Sequence, residues 1–246
     1  MSWSAERAQG FGPIAELYER VRPGYPRAAI EWMLPATARE VLDCGVGTGK
    51  LSDAIVATGR TVTAADPDPG MLAVLAAKHP EVATVVATAE ALPFADAAFD
   101  AVVFGQSWHW VDPPRGSREV ARVLRPGGVL GLFWNIRDAR EPWVAELADI
   151  TGHRSADELM LAAGGPDVTE PLAFDAAAEF DWVETVDVGT LVDLVATHGF
   201  AITATPEERE RMLAAVRVLG ERVADADGGI ELPYRTYAYR FRAADR

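Results

Sequence analysis

Between about residues 40 and 134 the chain alternates short apolar, β-rich runs with longer segments of helical character. The runs predict strands at Glu40–Cys44, Thr61–Asp66, Val82–Ala87, Ala98–Gly105 and Gly128–Trp134, with helices over 50–58, 68–78, 112–124 and 139–150. Asp112 followed by Pro113 and Pro114 is a helix start, with an N-cap acid and proline in the first turn. Arg125-Pro-Gly-Gly128 reads as a helix stop and a turn into the next strand. Apolar strands separated by helices imply a parallel sheet covered on both faces, a doubly wound α/β fold.

The flanks have a different texture. Residues 4–34 read as one or two helices broken at Pro23-Gly24-Tyr25-Pro26, and residues 151–178 as irregular, with a loop at Gly164-Gly165-Pro166. A strand is expected over 179–188, helices over about 189–198 and 206–224, and a final alternating strand over 231–242. Thr205-Pro206 supplies the N-cap and first residue of the second of those helices. With no repeat, low-complexity stretch or linker in view, residues 1–246 are expected to form a single domain. Its core would be about 36–150, with residues 1–35 and about 151–246 completing the sheet and covering its ligand edge as a lid.

Composition narrows the function classes. The 246 residues carry 23 basic and 37 acidic groups, a net charge of −14, which argues against a nucleic-acid partner, because phosphate binding needs a basic surface. One cysteine, Cys44, cannot form an internal disulfide and points to a reducing, cytoplasmic setting; it reads as a small buried hydrophobe. The N-terminal MSWSAERAQG lacks the apolar stretch of a signal peptide, and no apolar run approaches the roughly 18–20 residues that span a bilayer. No His or carboxylate pair has metal-ligand spacing, so no metal is expected. His79 reads as surface, while His153 and His198 lie on loop or helix ends that a folded-over lid would bring to the site.

Chemistry concentrates in Val41-Leu-Asp-Cys-Gly-Val-Gly-Thr-Gly-Lys50, where an apolar strand ends at Asp43 and runs into Gly45, Gly47 and Gly49 before a helix. In an open α/β sheet this first turn lies where ligands bind. Asp66 ends the next strand, 19 residues beyond Gly47, and its carboxylate would accept both hydroxyls of a ribose. A dinucleotide site wants G-x-G-x-x-G with a pyrophosphate on the helix N-terminus. Here the spacing is G-x-G-x-G, and Asp43 would repel a pyrophosphate but attract a ligand bearing an ammonium group.

These residues resemble the class I S-adenosylmethionine-dependent methyltransferases, and within them the small-molecule branch of trans-aconitate methyltransferase-like proteins. Further matching pieces are Tyr18-Glu-Arg-Val-Arg-Pro23, Ala65-Asp-Pro-Asp68 with Met71-Leu72, Ala89-Glu-Ala-Leu-Pro-Phe94, Gln106-Ser-Trp-His-Trp-Val111 and Leu124-Arg-Pro-Gly-Gly128. The resemblance implies a Rossmann-like seven-stranded sheet with an antiparallel last strand, S-adenosyl-L-methionine as cofactor and S-adenosyl-L-homocysteine as product. It gives Asp43 and the 45–49 backbone the methionine end, Asp66 the ribose, Pro67 and Met71 the faces of the adenine, and the Ala89–Glu90 backbone its edge. Gln106 would touch the methionine portion, Arg20 or Arg22 would neutralise its carboxylate, and Tyr18 and Tyr25 would close an N-terminal helix over it. Thr88 stands where many relatives have Asp, which weakens the expected contact to the adenine amino group.

For the acceptor, the resemblance points to a small organic molecule beside Trp108, His109 and Trp110, with Trp134 and Asn135 at the end of the fifth strand. His109 would either deprotonate the acceptor or only shape an aromatic wall. Packing explains Tyr18 and Tyr25 equally well, and a tryptophan placed like Trp134 is more often core. Three rival functions share the fold class: an NAD-dependent oxidoreductase, a non-catalytic S-adenosylmethionine-binding protein, and an enzyme that uses decarboxylated or related sulfonium ligands. A monomer or a homodimer is compatible with all of these.

Overall fold

The computed structural model describes residues 15–152 and 164–243, so His153 and the start of the first predicted helix lie outside the described residues. In the N-terminal segment, α1 (Ala15–Val21) and α2 (Arg27–Met33) are separated by the expected break at the prolines. Then follow β1 (Glu40–Cys44), α3 (Lys50–Val56), β2 (Thr61–Asp66), α4 (Pro69–Lys78), β3 (Ala83–Val86) and β4 (Phe99–Gly105). A 3-10 turn, Trp108–Trp110, leads to α5 (Pro113–Val123), β5 (Leu124–Arg137) and α6 (Pro142–Thr151). The chain then forms β6 (Leu172–Val186), α7 (Val188–Ala196), α8 (Gly199–Thr203), α9 (Pro206–Val223) and β7 (Ile230–Ala243).

Among the described residues seven strands form one sheet in the order β3-β2-β1-β4-β5-β7-β6. Strands β1 to β5 pair parallel, and β7 runs antiparallel to both β5 and β6. Alternation along the central strands splits the core between the two faces. Val102, Phe104, Leu130, Leu132 and Trp134 point to one face, covered by α5. Ala101, Val103, Val129 and Phe133 point to the other, covered by α2, α3 and α4. A third cluster stands apart from both: Val21 of α1, Val144 and Leu147 of α6, α7, and Val216 and Leu219 of α9 close on Ile230, Leu232 and Tyr234. Because Tyr234 pairs with Arg137, where β5 ends, this helical cluster sits at the edge where the parallel strands end and where a lid is expected.

The sequence pattern errs at three places. β6 begins at Leu172, so residues 172–178, read as irregular, are strand. Their alanines carry little β signal, and the strand is held from outside by pairing with β7 and by Asp175 against Arg240 at 2.5 Å. β5 takes in the Arg125–Gly128 turn as an irregularity: Phe99 pairs with Leu124, yet Ala101 pairs with Val129. The short helix α8 was missed because its five residues have no periodic pattern to show.

Candidate active site at the strand ends

The turn after β1 is built around two donors to one carbonyl: Gly45 N–H and Val46 N–H reach the Ala65 oxygen at 2.8 and 3.2 Å. Gly45 has φ +64°, and a Cβ there would lie 2.7 Å from Ser107, whose Oγ donates to the Cys44 carbonyl. Gly47, at φ +57°, has open space where a Cβ would sit, so nothing crowds its Cα. Gly49 is the N-cap of α3 and is pressed against Leu75 of α4.

Asp66 joins this turn to the next. Its Oδ2 accepts from Gly47 N–H and its Oδ1 from Asp68 N–H, both at 2.8 Å. Burial pushes its carboxyl up to about 6, against the pull of those two donors. A carboxylate has about four lone-pair sites, so about two remain for a pair of hydroxyls. Asp43 is fully buried where β1 ends, and Ser52 Oγ donates to its Oδ2 at 2.7 Å. Its Oδ1 is buried with no hydrogen-bond partner among the described residues. Burial, with Asp66 and Asp53 nearby, raises its carboxyl to about 7. Such an orphaned acid is costly unless a cation arrives. The ammonium group of S-adenosylmethionine fits that need, and the open space beside Gly47 fits a close approach. Ser52 was not foreseen; nothing in its spacing distinguishes it from an ordinary α3 residue.

Around this centre, Met71 and Ala89 are buried and Pro67 is half-buried. The Glu90 side chain accepts from Asp112 N–H at 2.9 Å, tying the 88–91 turn to the start of α5. Gln106, just past β4, is a non-glycine residue at φ +52°, with its N–H on the Phe133 carbonyl and its amide nitrogen 3.4 Å from the Asn135 oxygen. Strain of this kind persists where the surroundings over-determine it, often at functional sites.

The aromatic segment divides. Trp108 is buried, edge-on to Phe104 at 4.9 Å, and donates its indole N–H to the Asp167 carbonyl at 2.8 Å. His109 is half-buried with its ring 4.8 Å from that of Trp110, which is 40% exposed. Trp134 is fully buried in the core, edge-on to Tyr239, and so has no surface to offer an acceptor. Asn135 is engaged on both ends of its amide, donating to Gly24 O at 2.8 Å and accepting from Thr236 Oγ1 at 2.6 Å. It thereby pins the segment carrying Tyr25, whose hydroxyl lies on Gly105 and whose ring meets Phe133 edge-on.

The two candidate arginines also part. Arg20 is exposed and ion-paired with Asp193 at 2.9 Å. Arg22 lies over the Tyr18 ring at 4.8 Å and donates to the Thr197 hydroxyl and carbonyl at 3.1 and 3.0 Å. His198 is held beside them, its Nδ1 2.8 Å from the Leu194 carbonyl. Burial and the charges of Arg22 and Arg137 hold its imidazole well below the usual histidine range. Cys44 is buried and its thiol is pushed up by burial, as packing requires. His79, expected on the surface, is instead largely covered between Asp53 and Glu81, at 2.7 and 3.0 Å. No group of three His, Cys, Asp or Glu side chains suited to a metal occurs among the described residues.

A methyltransferase-domain family model matches residues 42–132, the span from β1 into β5. An uncharacterized methyltransferase of Mycobacterium tuberculosis (strain H37Rv) is 45% identical over 232 residues, covering 94% of each chain. An uncharacterized methyltransferase-like protein of Schizosaccharomyces pombe is 30% identical over 233 residues, covering 90% of this chain and 91% of its own. A solved structure assigned as a type II methyltransferase from Anaeromyxobacter dehalogenans superposes with a TM-score of 0.72 at 23% identity, over 92% of this chain and 99% of that one. With an acid-flanked glycine turn, Asp66 beside it and full-length kinship to methyltransferases, the chain belongs to the class I S-adenosylmethionine-dependent methyltransferases.

Proposed function

We propose that S-adenosylmethionine lies across the glycine turn, its ammonium on Asp43 and its ribose hydroxyls on Asp66, and that the acceptor is a small organic molecule beside His109 and Trp110. The single observation that carries this reading is the buried, unpartnered Oδ1 of Asp43. The cofactor supplies a methyl group already activated for displacement. What remains for the protein is alignment of nucleophile and methyl, which can replace on the order of 7–11 kcal/mol of barrier at best. In this reading Pro67 and Met71 flank the adenine, Ala89 and Glu90 bind its edge through their backbone, and Gln106 touches the methionine portion. Arg22, facing Tyr18 and anchored on Thr197, is better placed for the methionine carboxylate than Arg20, which Asp193 holds at the exposed surface. The whole chain acts as one domain, with the helical lid forming the acceptor chamber. Kinship to the trans-aconitate methyltransferase-like branch belongs to this proposal too.

Titration of the purified protein with S-adenosylhomocysteine and with NADH tests the reading. Micromolar binding of the first and none of the second is expected; binding of NADH alone overturns it. His109 acts as general base in this scheme. Once an acceptor is found, His109→Ala is expected to lower kcat by about 10²–10⁴, and a loss under tenfold leaves His109 only a wall of the pocket.

A further inference from the structure

The chain has 21 arginines and only two lysines, Lys50 and Lys78, and both lysines converge on one carboxylate. Glu19, on α1, lies 3.3 Å from Lys50 Nζ and 2.9 Å from Lys78 Nζ, all three side chains about three-quarters covered. Lys50 directly follows Gly49 and opens α3; Lys78 closes α4. Lys78 also reaches Asp53 of α3 at 2.8 Å, and Asp53 in turn meets His79. One ammonium shared between two carboxylates is a job for lysine, a compact charge with rotatable donors, where a planar guanidinium would impose its own fork geometry. Isolated exposed pairs stabilise little, but a shielded network of several charges holds its partners in place.

This network joins the lid to the cofactor turn. The residues next to Glu19 on α1 are Tyr18, which carries Arg22 on its ring, and Arg20, which reaches α7. We propose that Glu19 is a positioning residue that latches α1 onto Lys50 and Lys78, so that bound cofactor leaves only when this ion cluster opens. The inference rests on the cofactor lying at the glycine turn. Glu19 itself touches no reacting atom; it fixes the helix that carries Tyr18 and leads into Arg22.

The test is the dissociation rate of S-adenosylhomocysteine from the full chain, by stopped-flow displacement, at low and high salt. Glu19→Gln is expected to speed dissociation about tenfold, with a smaller change in association rate, and to remove the acceleration by salt that the unaltered chain shows. Glu19→Asp should recover part of the slow dissociation, which a purely structural loss would not do. Lys50→Met and Lys78→Met each open one arm of the cluster and are expected to give intermediate rates, which keeps the test alive if Glu19→Gln folds poorly. Unchanged off-rates and unchanged salt response in these variants overturn the latch. Failure of the unaltered chain to bind S-adenosylhomocysteine overturns the cofactor assignment instead, and the two outcomes are separate.

Discussion

The glycine turn, proposed to hold the cofactor, and the helical lid meet at the same edge of the sheet, but they are held by contacts of different reach. In the turn, Ser52 serves Asp43 across nine residues and Gly47 serves Asp66 across nineteen. In the lid, Arg22 reaches Thr197 across 175 residues, Arg20 reaches Asp193 across 173, and Asn135 reaches Gly24 across 111. The turn is therefore a local solution to backbone geometry and buried charge. The lid is assembled from both ends of the chain, and its apolar cluster is its own. One consequence is that changes in the turn should act on cofactor affinity, and changes in the lid, Arg22 apart, on stability and on exchange.

Asp66→Ala is the sharpest way to break that division. It removes the acceptor of two backbone donors together with the expected ribose contact. Hydrogen bonds to charged groups are worth about 1.5–3 kcal/mol each, so affinity for S-adenosylhomocysteine should fall by about 100-fold or more in calorimetric titration. A variant that is folded by circular dichroism yet binds normally would place the ribose elsewhere.

The next largest effect is on pH dependence. Asp43 has its carboxyl raised to about 7 and Asp66 to about 6 by burial, both from a usual 3.8. Between those limits the folded, ligand-free protein binds more protons than the unfolded chain. The stability these groups contribute is therefore fully present below about pH 4 and is lost as pH rises through 6 and 7. Ligand binding has the opposite sign, because an ammonium needs the carboxylate form of Asp43. Affinity for S-adenosylhomocysteine should rise by up to about tenfold per pH unit from 5 to 7 and level above 8. In Asp43→Asn that slope should shrink and binding weaken, while the melting temperature at pH 8 does not fall. A flat profile in the unaltered chain would remove Asp43 from the ammonium.

How much of this was legible in the chain follows from the same difference in reach. The strand-turn-helix run with acids at Asp43 and Asp66 could be read because each requirement is met within a few residues. β1 and β2 were predicted to the residue, Glu40–Cys44 and Thr61–Asp66. The antiparallel β7 and the lid helices α7 and α9 were also visible as patterns, through alternation and through Thr205-Pro206. What the sequence could not show was partnership. Neither the spacing nor the composition joins Glu19 to Lys78, or separates Arg22 from Arg20. Nor could periodicity decide that Trp134 lies wholly in the core while Trp110 stays exposed, since both sit where a strand ends or has just ended. The low β propensity of alanine hid the first half of β6, whose structure comes from its neighbour.

The smallest expected effect tests the lid on a locally encoded signal. α9 starts with a reciprocal capping box: Glu208 N–H donates to Thr205 Oγ1 at 3.3 Å, and Thr205 N–H to Glu208 Oε2 at 3.0 Å. Thr205→Ala removes one half of it at an exposed position. The expected loss is about 1 kcal/mol, a fall of about 2–4 °C in melting temperature for a chain of this size. Affinity for S-adenosylhomocysteine should stay within about twofold, because α9 packs on α6, α7 and the start of β7 rather than on the glycine turn. If affinity falls along with stability, the lid and the turn are energetically one unit, and the division by contact reach does not extend to function.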